Sequence, residues 1–136
     1  MEHRPEILDD DTCWDLLAEA EVGRVVFVDG DDIEVFPVNH SIGGRSILFR
    51  SAPGSKLELV AEHPRVAFEV DGHTELEAWS VIVWGVAVRL SFDDEIEHSG
   101  ILGLVSWSPE EKFNYVRIDP DRMSGRRFRR ADADAD

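Results

Sequence analysis

The chain has 136 residues, of which 43% are hydrophobic and 32% charged, and its formal net charge at pH 7 is −15. These values are typical of one globular domain whose core is large enough to fold without a metal or a disulfide, and the negative charge argues against nucleic acid as a partner. The first residues lack the apolar run of a signal peptide, and no apolar stretch reaches the roughly 20 residues of a membrane span, so we expect a cytoplasmic protein with no membrane contact.

The first predicted element is a short helix that contains the single cysteine. The residues from Thr12 to Asp15 fit a capping box, Leu17 follows at helical spacing, and Gly23 is of the residue type that ends helices. Cys13 lies within this pattern, where its simplest role is that of a small buried hydrophobe. One cysteine can form neither an internal disulfide nor a complete zinc site.

Three strands joined by glycine-bearing turns are predicted next. They are RVVFVD (24–29), IEVFPVNH (33–40) and RSILFR (45–50), and their short connections predict an antiparallel meander. Pro37 removes a hydrogen-bond donor from the second strand. We therefore expect it at an edge, at a bulge or where another group meets the backbone.

A short helix and two more strands follow. Ser55 is a natural N-cap for the helix, which the His-Pro pair at 63–64 ends. RVAFEV (65–70) is a strand, residues 71–77 form an exposed loop, and residues 78–91 form a long strand that Gly85 is expected to kink or bulge. This long strand is apolar at nearly every position, so we expect a dimer interface to cover its outer face.

The last predicted elements are a helix over 93–104, strands at 113–118 and 125–128, and an acidic disordered tail at 131–136. Residues 1–130 then form a single domain. About six consecutive strands with few helices and no β-α-β alternation exclude a Rossmann fold. They predict a mainly β (α+β) fold, a six-stranded antiparallel β-barrel with short flanking helices.

The common catalytic and metal-binding motifs are absent from the sequence. The five histidines form no HxxxH or HExxH spacing, and there is no G-x-S-x-G elbow and no glycine-rich nucleotide fingerprint. We therefore expect no metal site, and the sequence assigns no catalytic residue.

The segment APGSKL (52–57) has the components of a phosphate site. A turn that enters a helix at Ser55 leaves backbone N–H groups free and adds a hydroxyl, and Lys56, one of two lysines in the chain, adds a positive charge. Arg50 and Ser51 end the preceding strand and can supply a second cation and hydroxyl. From these residues alone, the alternative is a capped surface helix with a solvated lysine.

The order and spacing of these motifs resemble the pyridoxamine 5′-phosphate oxidase-like FMN-binding split-barrel family. The resemblance extends from the Cys13 helix to about Leu90 and includes a GR-strand, a PVN-strand, a glycine turn, an S-A-x-G-S-K helix, a V-x-F-E-V strand and W-S-V. It implies a split barrel that forms a homodimer with FMN in the subunit interface.

The resemblance also implies three groups of flavin-binding residues. The FMN phosphate and ribityl chain are held by Arg50, Ser51, Ser55 and Lys56. The isoalloxazine ring lies along Pro37, Val38 and Asn39. Trp79 and Ser80 reach the flavin that is bound mainly by the other subunit, although without the resemblance Trp79 is more simply a core or interface aromatic.

The implied activity is that of an FMN-dependent oxidoreductase acting on a small organic redox substrate. The flavin carries the hydride chemistry, so no catalytic acid or base is compulsory. A deazaflavin-dependent reductase and a flavin carrier without turnover stay open as alternatives, as does haem in place of the flavin. The end GRRFRRADADAD does not align with the arginine-bearing segment of vitamin B6 oxidases, so pyridoxamine phosphate is not the expected substrate.

Overall fold

The computed structural model describes residues 4–51, 56–62, 65–90 and 114–130. The predicted helix over 93–104, the tail at 131–136 and Ser55 lie outside these ranges. The elements in chain order are β1 (Glu6–Leu8), α1 (Asp10–Glu19), β2 (Val22–Asp29), β3 (Asp32–Gly43), β4 (Ser46–Ser51), the 3-10 helix η1 (Lys56–Glu62), β5 (Arg65–His73), β6 (Glu77–Leu90) and β7 (Asn114–Arg129).

Strands β2 to β7 close into a ring. The strand order is β1-β7-β4-β3-β2-β5-β6, every pair is antiparallel, and β6 also pairs with β7. The predicted mainly β, antiparallel barrel is therefore confirmed. The sheet has seven strands where the sequence predicts about six, because the three-residue β1 has no strand pattern of its own and forms by pairing with residues 125–127 of β7.

Helix α1 begins and ends earlier than its sequence pattern predicts. Its N-cap is Asp9, whose carboxylate accepts a 2.8 Å hydrogen bond from the backbone N–H of Thr12, and this bond lowers the pKa of Asp9. The helix ends at Glu19, and Gly23 lies in β2 instead of ending the helix. A Cβ at position 23 would overlap the Phe68 ring, so the packing of that ring onto β2 requires this glycine.

The later strands exceed their predicted limits. Strand β5 continues to His73 and β6 begins at Glu77, so the loop predicted over 71–77 contains only residues 74–76. The two strands predicted at 113–118 and 125–128 are parts of the single strand β7. This strand runs for 16 residues because β6 pairs along its length.

A β-bulge interrupts the long pair of strands at Gly85, as the sequence predicts. Trp84 pairs with Arg122 and Gly85 with Pro120, so Asp121 is the extra residue on β7. A Cβ on Gly85 would overlap the backbone carbonyl that precedes Pro120. Glycine therefore permits the close approach of the two strands at the bulge.

The barrel interior is filled by the inward-facing residues of successive strands. Phe27, Phe49 and Phe68 are among the largest fully buried side chains. Cys13 is only 1% exposed and packs against Gly125 of β7, where a Cβ would overlap its sulfur. Its predicted role as a small buried hydrophobe is confirmed, and burial raises the pKa of its thiol.

The outer face of β6 is also apolar. Ile82, Trp84, Val86 and Val88 point outward and are half-buried in the single chain. The guanidinium of Arg122 lies 3.9 Å from the centroid of the Trp84 ring and covers part of this face. No helix in the described ranges is long and apolar enough to span a membrane.

Candidate functional site

The barrel opens between β3 and β4, where several predicted flavin-binding residues lie. The pairing between β3 and β4 ends at His40 and Phe49. Asn39 and Arg50 are the next residues on each strand, and beyond them β3 remains paired with β2 while β4 remains paired with β7. The predicted ring-binding segment 37–39 and the end of β4 therefore border the same opening.

Pro37 lies on the part of β3 that has one hydrogen-bonded neighbour. It is the partner of Arg24 on β2, whereas β4 pairs with β3 only over His40–Gly43. A strand with an open edge tolerates the missing N–H of proline. The expectation that this residue marks an edge is confirmed.

Asn39 and His40 anchor the opening to α1 and to the residues that follow it. The Asn39 side-chain amide and the His40 backbone N–H both donate to the carbonyl of Glu21, at 3.5 and 3.3 Å. The His40 Nε2 lies 2.8 Å from the carbonyl oxygen of Leu17, which can only accept a hydrogen bond, so this nitrogen carries the proton. The His40 ring packs edge-on against the Phe68 ring, with 4.9 Å between the two ring centroids. Burial lowers the pKa of His40. Sequence reasoning missed this histidine, although it directly follows the PVN motif.

The residues predicted to bind phosphate come from β4 and from the start of η1. Arg50 is half-buried on the outer face, and Ser51 is 1% exposed. The Ser51 hydroxyl has no hydrogen-bond partner among the residues that the structure describes. An unpaired buried hydroxyl costs about 1–3 kcal/mol, which a ligand oxygen at this position would recover. Lys56 is the first residue of η1. This end of β4 therefore fits an oxygen-rich ligand such as a ribityl phosphate.

Trp79 and Ser80 do not lie at this opening within one chain. The part of β6 that carries them is separated from β4 by β3, β2 and β5, four strand spacings or about 19 Å around the sheet. In the other direction around the barrel, from β4 through β7 to β6, Arg50 pairs with Tyr115 and Tyr115 pairs with Leu90. Leu90 lies ten residues beyond Ser80 on β6, so Ser80 is far from Arg50 along the strand. The predicted site residues thus form two groups, one at the opening and one at the start of β6.

A groove of about 700 Å³ accompanies the second group. Such a volume is within the usual range of ligand-binding sites. Its walls come from β5, β6, the end of β7 and the residue that follows β7, and they include Asp71, His73, Trp79, Ser80, Phe128 and Arg130. Sequence reasoning missed Phe128 because it lies 50 residues beyond Ala78, the β6 residue with which it pairs.

Gly72 determines where the Trp79 ring lies. The two residues are partners on β5 and β6, and a Cβ at position 72 would lie 2.6 Å from Cζ2 and 2.9 Å from Nε1 of the indole. The indole therefore lies directly against the β5 backbone. Any larger residue at position 72 would displace the ring.

Comparison with known proteins identifies the family. The family model described as pyridoxamine 5′-phosphate oxidase matches residues 9–127 of this chain. This range includes both groups of predicted site residues, the one at the opening and the one at the start of β6. The chain therefore belongs to the pyridoxamine 5′-phosphate oxidase family.

Individual relatives share the fold across nearly the whole chain. A structure described as an FAD-binding protein from Mycobacterium smegmatis is 35% identical, with a TM-score of 0.80 over 93% of this chain and 100% of that one. A Corynebacterium glutamicum structure, provisionally described as a pyridoxamine 5′-phosphate oxidase, is also 35% identical, with a TM-score of 0.83 and the same coverage. An uncharacterised protein of Mycobacterium tuberculosis is 39% identical over 88 residues, which are 65% of this chain and 80% of the relative.

Proposed function

We propose that the protein is a flavin-binding oxidoreductase that works as a homodimer and holds the flavin between its two copies. The opening between β3 and β4 carries this proposal, because it borders backbone, cationic and hydroxyl groups at once. A relative of 35% identity described as an FAD-binding protein supports a flavin as the ligand.

In this proposal the FMN moiety, which occurs in both FMN and FAD, lies along the opening. The phosphate and ribityl chain contact Arg50, Ser51, Ser55 and Lys56. The isoalloxazine ring lies along Pro37, Val38 and Asn39. The bonds from Asn39 to Glu21 and from His40 to Leu17 of α1 keep this segment of β3 in place before the ligand binds, which reduces the entropic cost of binding.

The exposed outer face of the β2–β3 hairpin supports the dimer. Val28, Ile33 and Val35 are 56%, 71% and 54% exposed, and Val28 pairs directly with Ile33. This face is continuous, through β5, with the apolar outer face of β6. Contiguous apolar surface of this kind marks an interaction site, and a two-fold copy is the commonest way to cover it.

A two-fold copy would also complete the flavin site. Because Trp79 and Ser80 lie away from the opening of their own chain, they serve the opening of the other chain. The flavin supplies hydride transfer when it is bound. The protein's residues position the ring, exclude water from one of its faces and leave the other accessible to a small organic substrate.

The direct test is the visible spectrum of the purified protein, followed by titration of the cofactor-free protein with FMN. We expect a flavin spectrum, one FMN bound per chain and a dimer in sedimentation at micromolar concentration. A deazaflavin or haem spectrum would show that one of these groups, and not FMN, is the cofactor. If the protein does not bind FMN, the proposed flavin site is wrong. Anaerobic reduction by NAD(P)H, followed by reoxidation with organic acceptors, distinguishes an oxidoreductase from a flavin carrier.

A further inference from the structure

Arg126 differs from the other arginines in the described part of the chain. Each of the others makes a hydrogen bond, ion pair, ring contact or electrostatic interaction, as Arg24 does with Glu69 and Arg122 with Trp84. Arg126 is exposed and, within the described ranges, makes none. In a chain with 29 acidic residues, an arginine without a carboxylate partner is available to an external anion.

The neighbours of Arg126 belong to the groove at the start of β6. Ser80 is its direct partner across the strand pair, so the hydroxyl and the guanidinium project from the same face of the sheet. Phe128 lies two residues further along β7 on that face and is 43% exposed. A cation, a hydroxyl and an accessible aromatic ring therefore lie side by side.

Among the described residues, Arg126 stands beside the groove as the strand partner of the lining residue Ser80, and its guanidinium has no contact of its own. Arg130 lines the groove, but its guanidinium donates to the carbonyl of Thr74 at 2.9 Å. The carboxylate of Asp71 also lines the groove, and Arg24 lies 3.3 Å from it, which offsets its negative charge.

We propose that Ser80, Arg126 and Phe128 form a subsite for the adenylate half of FAD. Arg126 and Ser80 bind the second phosphate, and the adenine ring packs against Phe128. A planar guanidinium binds phosphate in a bidentate manner, and nucleobases stack on exposed aromatic rings. This inference rests on the proposed function, because the two-fold copy is what brings the groove of one chain to the flavin opening of the other.

The subsite makes a prediction about cofactor choice. FMN lacks the second phosphate and the adenine, so it gains nothing from Arg126 and Phe128. FAD fills both the opening and the groove, and one charge-assisted phosphate contact should favour it about tenfold or more over FMN.

The test is a titration of the cofactor-free, full-length protein with FMN and with FAD, in the wild type, in Arg126→Gln and in Arg45→Gln. Arg45 is the matched control, because it is an exposed arginine paired with Asp11 at the opposite end of β3 and β4. We expect the wild type to prefer FAD, Arg126→Gln to lose that preference, and Arg45→Gln to keep it. AMP, used as a probe, should compete with FAD and leave FMN binding unchanged.

A second pair of variants tests the adenine contact independently. Phe128→Leu should weaken FAD binding several-fold, and Phe128→Tyr should retain it because the ring is kept. Equal affinities of the wild type for FMN and FAD, or full FAD preference in Arg126→Gln, would overturn the subsite while leaving the proposed flavin site intact. Failure to bind either flavin would instead overturn the proposed function on which the subsite rests.

Discussion

Substitution of Gly72 by alanine should displace Trp79 without changing any residue proposed to bind the flavin. The new Cβ would lie 2.6, 2.8 and 2.9 Å from three atoms of the indole. Carbon atoms pack best at about 3.5–4.0 Å, so the ring must move by about 0.9 Å. Overpacking costs about 1–3 kcal/mol, and we expect about 1 kcal/mol here because the half-buried indole can move toward the groove.

The displaced ring should also weaken flavin binding. An aromatic contact contributes about 0.5–1.5 kcal/mol beyond its buried area, so its disturbance should lower the FMN affinity by about twofold to tenfold. Urea denaturation measures the stability, and quenching of tryptophan fluorescence during FMN titration measures the affinity.

Trp79→Phe provides the control for this prediction. The smaller ring lacks the indole atoms that the new Cβ would approach, so Gly72→Ala should cost less in the Trp79→Phe background than in the wild type. Trp79→Phe alone should reduce both the quenching and the affinity. If Gly72→Ala leaves stability and FMN affinity unchanged, or if its effects are the same in both backgrounds, the assigned contact between Gly72 and Trp79 is wrong.

Three further variants test other parts of the structure. Lys56→Ala should bind FMN about tenfold to hundredfold more weakly, since a charge-assisted contact contributes about 1.5–3 kcal/mol. If this variant binds FMN as tightly as the wild type, Lys56 is not part of the site. Burial lowers the pKa of His40, so the unfolded chain takes up a proton first as the pH falls. As the pH falls below about 6.5, the free energy of unfolding should therefore decrease more in the wild type than in His40→Gln. Urea denaturation measures it, and parallel pH profiles of the two proteins would contradict this prediction. Gly125→Ala should destabilise the barrel by about 1–3 kcal/mol, because the Cys13 sulfur occupies the space of the new Cβ. Adding Cys13→Ala to that variant removes the sulfur and should recover part of the lost stability. Strictly additive effects in the double variant would exclude the contact.

Local patterns were sufficient to predict the meander of β2, β3 and β4. Gly30 and Gly44 have φ values of 63°, as the tight turns between these strands require, and glycine adopts this conformation at low cost. The bulge at Gly85 and the burial of Cys13 were also predicted from their immediate sequence context. The chemistry of Arg50, Ser51, Ser55 and Lys56 was enough to suggest a phosphate site, whereas the proposal that the flavin ring lies along residues 37–39 came only from the resemblance to a family, because the PVN motif is short.

The limits of several elements depended on partners that are distant in the chain. Gly23 looks like a helix terminator in the sequence, yet it lies in a strand because the Phe68 ring occupies the space of its missing side chain. The short β1 and the full length of β7 exist because other strands supply their hydrogen bonds. A local pattern holds no information about such partners.

The sequence by itself therefore determined the positions of strands β2 to β6 and the residue types that are available to bind an oxygen-rich ligand. The tertiary structure alone decided that β3 and β4 separate after His40, and that Ser80, Arg126 and Phe128 share one face. The physical reason is strand register. Hydrogen bonding between strands fixes which distant residues are neighbours, and a shift by a single residue would turn each side chain to the opposite face of the sheet.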